Sequence, residues 1–339
     1  MHLMRTRPRV SFPSLVLVLA LPAAAAPPAE KVTGPEACAE CHVEEIEAWK
    51  LTKHFKTLNE LHRRPETGAM LAKLGLGRIK SEQQCFECHY LGKREEGAFQ
   101  VVSGIACESC HGAARDWVQG HGDYGKGVTK ATEAAGHRTA RLTRALADGM
   151  ISRDNIYQLG ASCYSCHLLT DEKLTNTGGH VPGSPGFNLL TWSQGEVRHT
   201  ILHTGNKANS EATPEQKRRL FVLGCILETE FCFRAVGHAT EKAEFGVTLA
   251  RRADAARKLL EKIQALAPNP ELAAIVTVAR GAGLRLNNAT ELNAAADRIS
   301  GLAREFAARV TGEQLVAIDS LLPGPERYQG KPYQVAGAP

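Results

Sequence analysis

Long apolar runs are missing from this 339-residue chain. The run from about Val10 to Leu21 is well short of the ~20 residues a membrane-spanning helix needs, and no later stretch does better. An integral membrane span is therefore not expected. Charge of one sign is scarce as well. The formal net charge is +5, and without Arg5, Arg7 and Arg9 it is 38 basic against 36 acidic side chains, or +2. That balance argues against a nucleic-acid partner. Aromatic residues make up only 6%, which fits an interior part of whose apolar surface comes from something other than side chains. Short tandem repeats are absent, which excludes a solenoid.

What is present begins with "MHLMRTRPRVSFPSLVLVLALPAAAAPPAEK". Three arginines, an apolar stretch and the small residues Ala23 to Ala26 have the layout of a secretory signal peptide, read here as residues 1–26. No twin arginine occurs in it, which favours export as an unfolded chain. A periplasmic location is the expectation.

Ten cysteines follow, and eight of them fall in Cys-x-x-Cys pairs each followed at once by histidine. The four units are Cys38, Cys41, His42; Cys85, Cys88, His89; Cys107, Cys110, His111; and Cys163, Cys166, His167. An exported protein commonly pairs its cysteines as disulfides, but a disulfide framework gives no reason for the histidine. A zinc site or a redox dithiol does not require it four times either. Two thiols spaced this way add to the two vinyl groups of one porphyrin and place the next residue under the iron. The expectation is four covalently attached c-type haems, with the four histidines as iron ligands. Porphyrins would then supply the apolar surface that the scarce aromatics do not.

A second ligand for each iron must come from elsewhere. Outside the signal and the motifs stand His54, His62, His121, His137, His180, His199, His203 and His238. "VEEIEAWKLTKHFKTLNELHRR" has the apolar spacing of an amphipathic helix. On such a helix His54, twelve residues past His42, lies ~18 Å further along, whereas two axial nitrogens of one iron are only about twice a ~2 Å bond apart. His54 must serve another motif's haem. His121, between two glycines in a loop, is not restricted in this way. "LLTWSQGEVRHTILHTGN" reads as a short helix with His199 and His203 on one face. His199 is favoured for the fourth iron, His203 as a neighbour of the site, and His180, in "TGGHVPGS", as a further candidate. His62, His137 and His238 read as surface or packing residues.

The first motif with "W…KH" after it, then "GIACESCHG…H", then a fourth motif followed by a helical histidine, resembles a known family. It is similar to the tetrahaem cytochromes c that accept electrons from hydroxylamine oxidoreductase in ammonia-oxidising bacteria, whose haem packing is shared with multihaem nitrite reductases. The resemblance covers roughly residues 34–205. It implies that His54 caps the third haem (His111), that His121 caps the first (His42), and that the second haem (His89) is five-coordinate unless His180 or His62 closes it. An open iron binds small molecules, whereas a two-histidine haem mainly carries electrons.

From about Pro214 the chain becomes rich in Ala, Leu and Arg with helical period. One long helix closed by "APNPE", two more at about 271–284 and 290–309, and a short one near 313–321 are expected. Cys225 and Cys232, seven residues apart on the first, lie ~10 Å from each other along a helix and are too far apart for a disulfide.

The sequence thus predicts a mainly α protein. A tetrahaem domain with little regular structure (27–210) precedes a helical bundle (211–322) and a Pro/Gly-rich tail (323–339). The function read from it is periplasmic electron transport between redox protein partners, such as a quinol-oxidising membrane protein or a periplasmic oxidoreductase, in a respiratory chain. The alternative is reduction of nitric oxide or hydroxylamine at an open second haem. Homo-oligomers remain compatible with the sequence.

Overall fold

A computed structural model describes residues 26–168 and 171–337; the leader lies outside the described residues. The chain is mainly α-helical. Its N-terminal part carries short helices: α1 (Glu36–Ala39), α2 (Val43–Lys50), α3 (Lys53–Glu60), α4 (Pro65–Leu74), α5 (Gln83–His89), α6 (Cys107–His111) and α7 (Val118–Gly122). Next come α8 (Ala135–Ala147), α9 (Ile156–His167), α10 (Glu172–Asn176) and α11 (Leu189–Ser193). The C-terminal part has longer ones: α12 (Pro214–His238), α13 (Glu244–Leu266), α14 (Pro270–Gly281) and α15 (Ala289–Arg309), followed by a 3-10 turn at Glu313–Leu321. Among the described residues no helix is long and apolar enough to cross a membrane.

The long helices start where their caps dictate. Thr213 accepts from Gln216 N while the Gln216 side chain accepts from Thr213 N, and Pro214 fills the first turn, where no backbone donor is needed. Asn269 opens α14 by accepting from Leu272 N, again with a proline in the first turn. The helix expected to run unbroken from 214 instead divides at Ala239–Ala243, because the Thr240 and Glu241 amides donate to the Glu172 carboxylate rather than continuing the ladder. The first amphipathic helix also divides. Thr52 takes an extended backbone and its hydroxyl accepts from Phe55 N, so it caps α3 and separates it from α2.

One unexpected element is a hairpin of strands β1 (Leu91–Glu95) and β2 (Ala98–Ser103). Glu96 and Gly97 form its turn, both with positive φ (48° and 83°), the backbone that two-residue hairpin turns need.

The principal core surrounds α12, which is buried on nearly every face from Phe221 to Gly237. It packs against α13 and α15 on one side and α9 and α11 on the other. Tyr157, Tyr164 and Leu168, from the stretch bearing the fourth motif, belong to this same core together with Phe187, Leu189 and Leu190. Each such buried apolar side chain contributes roughly 1.5–3 kcal/mol, so the fourth motif is anchored by the bundle. The other three motifs rest on small apolar clusters only, around Val32 and Leu91, Ile79 and Tyr90, and Ala114 and Trp117.

Candidate haem sites

The second, third and fourth motifs each sit on a helix that ends at the motif histidine, whereas the first starts in α1, which stops at Ala39, three residues before His42. Every one of these histidines faces a second imidazole. The ring centroids of His42 and His121 are 6.3 Å apart, those of His89 and His180 6.1 Å, those of His111 and His199 6.2 Å, and those of His167 and His54 6.1 Å. Two imidazoles bound through Nε2 to one metal at ~2.0 Å, on opposite sides, have centroids about 6.3 Å apart. All four separations have the span of a pair of axial ligands.

The other ring nitrogens support the same reading. Nδ1 of His111 is 2.9 Å from the Ile151 carbonyl, Nδ1 of His121 2.6 Å from Val118, Nδ1 of His180 2.8 Å from Val181 and Nδ1 of His199 2.6 Å from Val197. A carbonyl only accepts, so each Nδ1 carries the proton and Nε2 keeps its lone pair, the arrangement metal-bound histidines adopt. His167 Nδ1 has the Ser184 hydroxyl at 2.8 Å. Burial, reinforced by His180, holds the pKa of His89 down to about 4. Burial, reinforced by His54, holds that of His167 at about 3. It also lowers His42, His54 and His111. These five rings are neutral at neutral pH, as ligands must be. Among the described residues the buried Trp117 indole N–H has no hydrogen-bond partner, and its ring lies edge-on to His121 at 5.1 Å. A donor left free beside the His42–His121 pair suits a group with acceptor oxygens, such as a haem propionate.

Two of the expected pairings are corrected. His54 faces His167 and not His111, while His199 faces His111 and not His167. The cause lies in where the flanking segments are tied. The α3 helix is pinned by Thr57 Oγ1 to the His89 carbonyl at 2.9 Å, and the Trp49 indole just before it donates to Ile105 O at 2.8 Å. The segment bearing His199 is not helical. Asn209 holds it open by accepting from Thr200 N and donating to Arg198 O, so His199 and His203 do not share a helix face. His203 is exposed and faces no ring. The second motif, expected to be open, has His180 opposite it and not His62, which is exposed. His180 is carried by Gly178 and Gly179, whose turn returns the His180 amide to Leu174 O. His137 bonds Glu133 and His238 lies near Asn293, both on the surface.

The motifs also approach one another. The thiols of Cys38 and Cys107 are neighbours, as are those of Cys88 and Cys166. Helix α6 of the third motif packs against α9 of the fourth, and α5 of the second packs against α9 as well. The order of contact is first, third, fourth, second. Glu108, between the cysteines of the third motif, ties the first two together by accepting from the Thr33, Gly34 and Ala114 amides at 2.7–2.9 Å. Among the described residues there is no cluster of three or more metal-ligating side chains, so the ring pairs are the candidate sites.

Gly104 permits the approach of α3 to the third motif, because a Cβ there would strike the His54 carbonyl and come within 2.5 Å of Thr57 Oγ1. Gly104→Ala is expected to cost about 1–3 kcal/mol by overpacking. It should also lift His54 from His167, read as a high-spin fraction in the absorption spectrum of the oxidised protein.

Comparison with known proteins points to c-type cytochromes. Residues 37–112 match the family model of cytochrome c554 and c-prime. That span holds the first three motifs, with the fourth beyond it. Cytochrome c-554 of Nitrosomonas europaea is 29% identical over 143 residues, which are 40% of this chain and 57% of the relative. The matched part thus spans little more than half the length of that relative. No solved structure matches the chain. The resemblance read from the motifs holds, and the chain is similar to c-type cytochromes of electron transfer.

Proposed function

We propose that this protein is an exported, periplasmic tetrahaem cytochrome c that relays electrons between redox protein partners in a respiratory chain. The observation that carries this reading is the second histidine opposite every motif histidine, the one at His89 above all. Cys38, Cys41, Cys85, Cys88, Cys107, Cys110, Cys163 and Cys166 would hold the porphyrins. His42 with His121, His89 with His180, His111 with His199, and His167 with His54 would hold the irons. When bound, the haems supply one-electron redox chemistry. The residues opposite each motif deny a small molecule an open coordination position, which favours carriage of electrons over the alternative, reduction of nitric oxide or hydroxylamine at the second haem. Residues 27–210 would be the haem-bearing unit and 211–322 the bundle that supports its fourth site. Residues 1–26 would direct export.

The proximity of the motifs supports a path running first, third, fourth, second. Cys41 of the first motif is exposed, which makes that end a place for electrons to enter or leave. A reductive titration tests the reading. Four electrons per chain are expected, delivered afterwards to an oxidised soluble c-type cytochrome. A reduced protein that exchanges electrons with no redox protein, yet turns over nitric oxide or hydroxylamine faster than free haem, would overturn it.

A further inference from the structure

The bundle does more at the fourth motif than cover it. Ser184, whose hydroxyl is 2.8 Å from His167 Nδ1, also returns its amide to the His167 carbonyl at 2.8 Å. Its own carbonyl accepts from Arg252 Nη1 of α13 at 3.2 Å. Arg252 Nε donates at 2.6 Å to Glu228 of α12. The ion pair is mostly buried, with 18% and 15% of the two side chains exposed. Gly183 allows this, since a Cβ there would come within 2.8 Å of the guanidinium and 3.0 Å of the His167 carbonyl. The pair is oriented. Its positive end reaches the loop that bonds His167, while Glu228 reaches back toward Cys232 and leaves Oε2 buried without a hydrogen-bond partner among the described residues. Phe187 lies flat on the His167 ring at 4.4 Å and Trp192 meets it edge-on at 4.9 Å, so the ring has aromatic neighbours on two sides. Charges in such a setting are weakly screened.

We propose that the Arg252–Glu228 pair tunes the reduction potential of the haem at His167, with Arg252 raising it and Glu228 lowering it. The inference rests on the reading of His167 and His54 as ligands of one haem. Reduction adds an electron to the iron, so a fixed positive charge nearby favours the reduced state and a fixed negative charge opposes it. Arg252 and Glu228 are positioning residues here and touch no ligand directly.

The test is a spectroelectrochemical titration of the holoprotein and of Arg252→Gln, Glu228→Gln and the double variant. The haem concerned is identified as the one that Cys163→Ala, Cys166→Ala removes. For Arg252→Gln the reduction equilibrium of that haem is expected to weaken about tenfold, which is 59 mV for a one-electron couple. Glu228→Gln should shift it the opposite way, and the double variant should return near the parent. The other three midpoints should hold. Shifts of the same sign in both single variants, or no shift in either, would overturn the proposal, because lost packing alone cannot produce opposite signs. Three haems in the parent protein, with the fourth motif unmodified, would instead sink the underlying reading of the site.

Discussion

Replacing His180 by alanine is expected to turn one of four low-spin haems into a high-spin haem that takes up nitric oxide. His180 is the ring that stands 6.1 Å from His89. Alanine offers no donor atom, and the iron would be left with His89 and at most a weakly held water. Two controls separate this effect from general damage. His62→Ala and His203→Ala should leave all four haems low-spin, since both residues are exposed and face no ring. A fully low-spin His180→Ala protein would show that His180 is not a ligand. The expected result would place the boundary between an electron carrier and a small-molecule reductase at a single side chain.

The second large effect is expected at Glu108, only 1% exposed. Its Oε1 accepts from Thr33 N and Ala114 N, and its Oε2 accepts from Gly34 N. Hydrogen bonds to a charged group are worth ~1.5–3 kcal/mol each, and stranding their donors adds to the loss. Glu108→Ala should therefore destabilise the protein by on the order of 5 kcal/mol, measured as a fall in the denaturant midpoint of the holoprotein. Glu108→Gln keeps one acceptor oxygen and should lose roughly half as much. The same carboxylate joins the segment before the first motif to the one after the third, so Glu108→Ala should also slow electron exchange between those two haems. A variant within about 1 kcal/mol of the parent would show that the amides find other partners.

Much of this organisation was legible in the sequence. The four motifs, the identity of most facing histidines and the bundle helices could be read because each is local. Thr213 with Pro214 and Asn269 with Pro270 announce helix starts, and the apolar period does the rest. Pairing was not legible. Whether His54 faces His111 or His167 depends on Thr57 reaching the His89 carbonyl and on Gly104 admitting α3, contacts between segments far apart in the chain. The pairing implied by the resembling family differs for His54 from the ring it faces, His167, for that reason. The apolar period predicts a helix through His199 that Asn209 prevents from forming, a side-chain effect that period cannot report. Two missed features did leave signals. The Glu96-Gly97 turn between "LGKRE" and "AFQVVS" is a hairpin signature, and Thr52 ahead of Lys53 is a helix cap inside what reads as one helix.

The ring planes add a spectroscopic expectation. His42 and His121 are nearly parallel at 8°, whereas His111 and His199 are nearly perpendicular at 84°. Parallel axial imidazoles give a rhombic low-spin signal and perpendicular ones a strongly axial signal. The measurement that tests the central claim most directly is therefore low-temperature EPR of the fully oxidised protein, integrated by spin state, with and without nitric oxide. Paired histidines at all four sites predict four low-spin irons, at least one rhombic and one strongly axial, all unchanged by nitric oxide. A high-spin iron that binds nitric oxide in the unsubstituted protein would contradict the pairing of His89 with His180 and restore the catalytic reading.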